Sequence, residues 1–253
     1  MTPTTAERAA AKVPEATIVF WVLKVAATTL GETGGDAVSM SMHLGYVVGT
    51  AIFAGLFFAA VTVQIRATRF RPVVYWTTIV ATTTVGTTLA DFADRSLGIG
   101  YAGGASILAA LLVASLAAWR WRLGSVAIDT VTSPTSEAFY WVTILFSQTL
   151  GTALGDWTAD SARLGYGGGV VTFGVALAAV GALYAWTSLS RTTLFWAAFV
   201  LTRPLGAVAG DLLDKPRADG GLALSRYAAS GALVAFLALG VLVLPQRAAR
   251  RAH

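Results

Sequence analysis

The chain contains no cysteine. That excludes a disulfide framework, a thiolate metal site and a lipidated cysteine. Histidine is almost missing as well, with His43 and His253 the only two. No HExxH, nucleophile elbow or phosphate-binding loop occurs. The expectation is a protein that is not an enzyme and carries no resident cofactor. Charge is also scarce: 12% of the 253 residues are Asp, Glu, Lys or Arg, against roughly 25% in soluble domains.

Hydrocarbon fills the chain instead. Hydrophobic residues make up 56% of it, and the mean hydropathy is +0.68. The apolar runs reach the roughly 20 residues that a helix needs to cross a 30 Å hydrocarbon core. Backbone groups in lipid must pair internally, which leaves helices or a closed barrel, and these runs far exceed the roughly 10-residue strands of a barrel. The expected fold is therefore an all-α membrane protein forming a single membrane domain. Eight transmembrane helices are expected at about 17–36, 44–65, 73–93, 101–119, 138–158, 166–187, 193–213 and 222–244.

Eight spans place Arg8, Lys12, Arg66, Arg69, Arg71, Arg120, Arg122, Arg191, Arg247, Arg250 and Arg251 on one side. Arg95, Arg163, Lys215, Arg217 and Arg226 fall on the other. The positive-inside rule then predicts a cytoplasmic N-terminal tail (1–13) and C-terminal tail (246–253), in the inner membrane of a bacterium. MTPTTAERAAAKVPEATIVF at the start lacks the pattern of a cleaved signal peptide. The net charge of +5 is mostly topogenic, and scattered basic residues of this kind do not suit nucleic acid. The partners expected are the lipid bilayer and a small ion or solute, with an oligomer left open.

Trp21, Trp76, Trp141 and Trp196 each open the same pattern: a tryptophan, nine residues, a glycine, four residues, an aspartate. The glycines are Gly31, Gly86, Gly151 and Gly206, and the aspartates are Asp36, Asp91, Asp156 and Asp211. Tyr46, Tyr101 and Tyr166 follow ten residues after the first three aspartates; an insertion, KPRADG at 215–220, delays the fourth, Tyr227. The repeats run at about 14–71, 72–125, 136–190 and 191–246, each with two spans. An even number of spans gives every copy the same orientation, so the repeats are parallel about an axis along the membrane normal.

The stretches KVPEATIVFWVLKVAATTLGETGGD (12–36), GTALGDWTAD (151–160) and TRPLGAVAGDLLDKPRADGGLALSR (202–226) are similar to a known family. The chain resembles the bacterial integral-membrane family of four tandem repeats of unknown function, with two spans and a tryptophan per repeat. The resemblance covers nearly the whole chain and implies the fold and a membrane location, but no activity.

The tryptophans are expected as interfacial anchors, and the glycines as points of close helix contact. Positions 8, 11 and 15 past each tryptophan share a helix face. They hold Thr29, Glu32 and Asp36; then Thr84, Thr87 and Asp91; then Thr149, Thr152 and Asp156; and finally Pro204, Ala207 and Asp211. Such a stripe belongs against protein or water, not lipid. Lys24 lies near enough to the expected interface to snorkel. Glu32 and Arg203 lie deeper, and closure of the repeats into a ring would pair them, with Lys24 as a competing partner for Glu32.

Two accounts of these residues stand side by side. In one, Glu32, Asp36, Asp91, Asp156 and Asp211 with Thr29, Thr84, Thr87, Thr149 and Thr152 line an ion pathway. The aspartates are then candidate metal ligands, and Glu32 and Arg203 a gate. Oxygen donors suit hard divalent cations such as Mn or Mg, bound as substrate. In the other, the aspartates only end helices or pair with Arg95, Arg163, Lys215 and Arg217, while the threonines bond locally. MSMH (40–43), the one soft-ligand cluster, reads as an outer loop folded on the helix ends. The favoured function is a transporter or channel-like permease for a small cation. The alternatives are a carrier for a small organic solute, anions included, with Arg203 and Lys24 as counter-charges, and a non-transporting membrane scaffold.

Overall fold

The computed structural model describes residues 11–249. Eight long helices correspond to the eight expected spans: α1 (Ile18–Asp36), α2 (Gly45–Arg66), α3 (Pro72–Asp91), α4 (Tyr101–Leu123), α5 (Pro134–Asp156), α6 (Gly165–Trp186), α7 (Arg191–Asp214) and α8 (Arg226–Val243). Their starts follow local chemistry. Thr17, Ser133, Ser190 and Ser225 each accept a backbone N–H from three residues on, which satisfies a donor the first turn leaves free. Pro72 and Pro134 occupy first turns, where a missing N–H costs nothing. Directly after Asp36, Asp91 and Asp156 comes a π turn, at Ala37–Ser41, Phe92–Ser96 and Trp157–Ser161. Such turns widen the helix and recur at functional sites.

Helices α2, α4, α6, α7 and α8 are apolar and long enough to cross a membrane, so the chain is an all-α membrane protein. The threonine, glycine and acid of α1, α3 and α5 are tolerated because these helices do not face lipid. With α7 they form a closed ring in which each packs on the next and α7 returns to α1. Each even helix packs on the odd helix of the following repeat: α2 on α3, α4 on α5, α6 on α7, and α8 back on α1. The outer helices bury only a narrow stripe, such as Gly49, Phe57 and Gln64 in α2 or Ala105, Leu112 and Trp119 in α4. Residues seven or eight apart share a face, and the rest of each outer helix is left for lipid.

Closure is repeated in the side chains. The aromatic residue before each tryptophan meets the tryptophan of the next repeat: Phe20 with Trp76 (5.7 Å), Tyr75 with Trp141 (5.7 Å), Tyr140 with Trp196 (6.2 Å) and Phe195 with Trp21 (5.6 Å, centroid to centroid). Trp76, Trp141 and Trp196 are buried. The tryptophans are thus cross-repeat locks and not the interfacial anchors expected, because the ring turns their faces toward one another. Trp121 and Trp186 on outer helices, and Trp157 in the turn after α5, are the exposed ones.

The same end is covered by the chain before α1. Ala11, Lys12 and Val13, the end of the expected N-terminal tail, are buried. Lys12 Nζ lies 2.5 Å from Glu137 and donates to the carbonyls of Ile65 and Ala67 at the end of α2. Residues 1–10 and 250–253 of the expected tails lie outside the described residues.

Candidate functional site

The ring brings equivalent positions of the four repeats to common levels. Eleven residues past the tryptophans stand Glu32, Thr87, Thr152 and Ala207, all buried. Arg203 of α7 reaches into this level. Its Nη2 donates to Glu32 Oε2 at 3.0 Å and to Thr87 Oγ1 at 2.6 Å, and it contacts Thr152 Oγ1 as well. Thr87 Oγ1 also lies 3.3 Å from Glu32 Oε2. Glu32 and Arg203 therefore form the pair that ring closure requires, and α1, α3, α5 and α7 each contribute to it.

The expected hydroxyl stripe splits in two. Thr29, Thr84 and Thr149 turn back to the carbonyls of Val25, Val80 and Leu145 on their own helices, as mid-helix threonines often do. Only Thr87 and Thr152 present their hydroxyls to Arg203. Lys24 does not snorkel. It is fully buried, donates to Thr202 Oγ1 at 3.2 Å and lies 4.0 Å over the Phe199 ring. The covering aromatic layer and the chain before α1 block its way out, and Arg203, not Lys24, takes Glu32.

The four aspartates share the next level toward the opposite end, and every one is buried. Their carboxylates lie within electrostatic reach of one another and of Glu32. Asp36 Oδ2 meets Lys215 Nζ at 2.5 Å and Arg226 Nη2 at 3.7 Å. Lys215 also approaches Asp211 Oδ1 at 3.0 Å, and Arg226 Nε meets Asp214 Oδ2 at 3.1 Å. Across the ring, Arg95 bridges Asp91 at 2.9 Å and Asp156 at 3.7 Å. Burial alone would lower the Lys215 ammonium, but Asp211 and Asp36 outweigh it and hold it well above the usual lysine range. Arg163 and Arg217, named in the sequence with Lys215 and Arg95, are exposed and pair with none of the four.

Glu32, Asp36 and Asp211 each offer an oxygen within 4.8 Å of the others. A cation equidistant from three oxygens that far apart would sit about 2.8 Å from each, so the set must close slightly on a calcium-sized ion. Lys215 Nζ stands between two of the three, so the insertion of the fourth repeat sets a tethered cation among them. Lys215→Met is expected to lower stability by about 2 kcal/mol, the loss of a charge-assisted hydrogen bond to a buried carboxylate. Thermal unfolding in detergent, followed by tryptophan fluorescence, measures it.

Several polar groups here were not singled out in the sequence. Arg226 stands where the other copies have glycine before tyrosine, so GY in three copies and RY in the fourth was the available signal. Thr28, Thr83 and Gln148 occupy the position of Arg203 in the other repeats, and all are fully buried. MSMH gathers no site: Met42 and His43 are exposed. A cavity of about 840 Å³ lies off the ring axis at the tryptophan end, against Trp21, Leu177, Tyr184, Arg191 and Phe195. It is mainly apolar and reaches none of the groups above.

Neither the curated proteins nor the solved structures contain a match to this chain. A family model does match it four times in tandem, at residues 19–70, 74–124, 139–190 and 194–251, one match to each hairpin that the ring assembles. The chain accordingly belongs to the family described as Repeat of Unknown Function (DUF347).

Proposed function

We propose that the protein is a permease for a small cation, divalent hard ions favoured, whose path enters the ring of α1, α3, α5 and α7 at the aspartate end. One observation carries this reading: acid exceeds base in the interior at that end. Glu32, Asp36, Asp91, Asp94, Asp156, Asp211 and Asp214 are all buried. They share four basic partners, Arg95, Arg203, Lys215 and Arg226. An ionisable group inside a membrane costs about 2.5–3.5 kcal/mol on insertion scales, and an unpaired buried charge costs more. A surplus of carboxylates is relieved by a proton or a metal cation. Oxygen-only donors favour a hard one.

In this reading the arriving ion displaces Lys215 from Asp36 and Asp211, and Lys215 swings toward the outer surface with its loop. The Glu32–Arg203 pair, one turn deeper, is the next barrier. Arg66, Arg120 and Arg191, toward the tryptophan end, put that end in the cytoplasm by the positive-inside rule. The protein then resides in the bacterial inner membrane with both termini inside. A scaffold has no need of excess buried acid, which weighs against that alternative.

Uptake into proteoliposomes across Mn, Mg, Ca and monovalent cations tests the proposal. Asp36→Asn and Asp211→Asn are expected to lower flux of the preferred ion roughly tenfold, equivalent to about 1.4 kcal/mol of binding. Asp91→Asn and Asp156→Asn are expected to lower it less, since Arg95 already holds that pair. Flux of no cation in the wild type, or equal flux in all four variants, rejects it.

A further inference from the structure

The polar groups of the ring divide by sign along the axis. Beyond the Glu32 level, toward the tryptophans, the position seven residues past each tryptophan holds Thr28, Thr83, Gln148 and Arg203, none of them exposed. Donors outnumber acceptors there. Arg203 Nε and Nη1, both atoms of the Gln148 amide and Thr83 Oγ1 have no hydrogen-bond partner in the protein. Thr28 alone is satisfied, by carbonyls of α1 and by that of Thr202. Lys24, one turn nearer the tryptophans, has only the Thr202 hydroxyl and the Phe199 face. Two buried basic groups, Lys24 and Arg203, thus lie near a level with a single carboxylate, Glu32, which Arg203 alone reaches.

We propose that this level binds one small monovalent inorganic anion, held by Arg203, Gln148 and Thr83 with Lys24 supplying field from below. Each feature points the same way. A fully buried donor without an acceptor costs about 1–3 kcal/mol, more when charged, and three such groups stand at one repeat position on adjacent helices. An anion satisfies the N–H groups, the amide NH₂ and the hydroxyl together and cancels the net positive charge. A water molecule supplies acceptors but no charge. The helices pack tightly here: a Cβ on Gly86 would lie 3.1 Å from Gln148 C and Cβ, and one on Gly151 would overlap Arg203 Cβ and Cγ, which leaves little room beside these side chains. Chloride or nitrate fits such a space better than an organic acid. The proposal is separable from the cation reading: it shares Arg203 with that reading but concerns another level and adds Thr83, Gln148 and Lys24.

Anion-dependent stability and anomalous scattering test it. The purified protein is unfolded thermally in detergent at constant ionic strength, in chloride, nitrate or gluconate. The expected result is a midpoint roughly 5–10 °C higher in chloride or nitrate, once the anion stands at about 100 times its Kd. The difference shrinks in Thr83→Val and disappears in Gln148→Leu and Lys24→Met. Crystals grown in bromide are expected to show anomalous density beside Arg203. The proposal is overturned by equal midpoints in the three salts, by a difference that survives in all three variants, or by bromide found only on the surface. The crystallographic arm needs no variant to fold. Cation flux through the Asp36→Asn series is a separate readout, so failure of either proposal leaves the other standing.

Discussion

Arg203→Met lowers the stability of the folded bundle by about 3–5 kcal/mol, the cost of leaving a buried carboxylate without its partner. The guanidinium is fully buried and its Nη2 binds Glu32, Thr87 and Thr152 at once. Methionine fills the space but strands Glu32 among groups that cannot carry its charge. The double variant Glu32→Gln with Arg203→Gln removes both charges and keeps hydrogen-bonding capacity. It is expected to recover most of the loss, because a buried pair is worth little more than a neutral replacement of similar volume. Thermal unfolding of the two singles and the double measures the coupling directly. Additive losses, or a loss under 1 kcal/mol in Arg203→Met, would show that the pair does not hold the α1–α7 seam.

That pair also marks how far the sequence could be read. The four tryptophan–glycine–aspartate copies are periodic and independent of partners, so eight spans and four parallel hairpins were visible in them. Glu32 and Arg203 could be matched because they were the only charges of opposite sign at depth in repeats that closure makes neighbours. What stayed hidden depends on which way a helix turns. Nothing in the spacing tells whether Trp76 faces a neighbouring repeat or the membrane surface, and the aromatic residue before it became informative only once the ring set Tyr75 against Trp141. Lys24 was misjudged for a related reason: distance along a helix measures depth but not the aromatic layer lying across the way out. The partners of the aspartates were half legible. Lys215 and Arg95 each lie four residues past one of their acids, Asp211 and Asp91, whereas their second acids, Asp36 and Asp156, and the reach of Arg226 to Asp36 across 190 positions, come only from the ring.

Gly206→Ala is expected to cost about 3 kcal/mol, at the upper end of ordinary overpacking, while Gly231→Ala on the outer helix α8 costs nothing. A Cβ on Gly206 would fall 2.8 Å from the backbone carbonyl carbon of Thr28, besides overlapping its hydroxyl. No rotamer change relieves contact with a backbone atom, so α7 must move away from α1. At Gly231 and Gly55 nothing lies within 4 Å, and alanine there merely removes glycine's helix penalty of about 1 kcal/mol. Gly151→Ala is intermediate, since its obstacle is the Arg203 side chain. The seam matters because α1 and α7 belong to the first and last repeats: with the packing of α8 on α1, this contact turns a row of four into a ring. Separation of α7 from α1 also withdraws Arg203 from Glu32 and Lys215 from Asp36. Thermal unfolding and limited proteolysis in detergent should therefore show Gly206→Ala loosened and Gly231→Ala unchanged, with all spans still inserted. Equal behaviour of the two variants would mean that the seam tolerates a side chain and that closure rests on the charges alone.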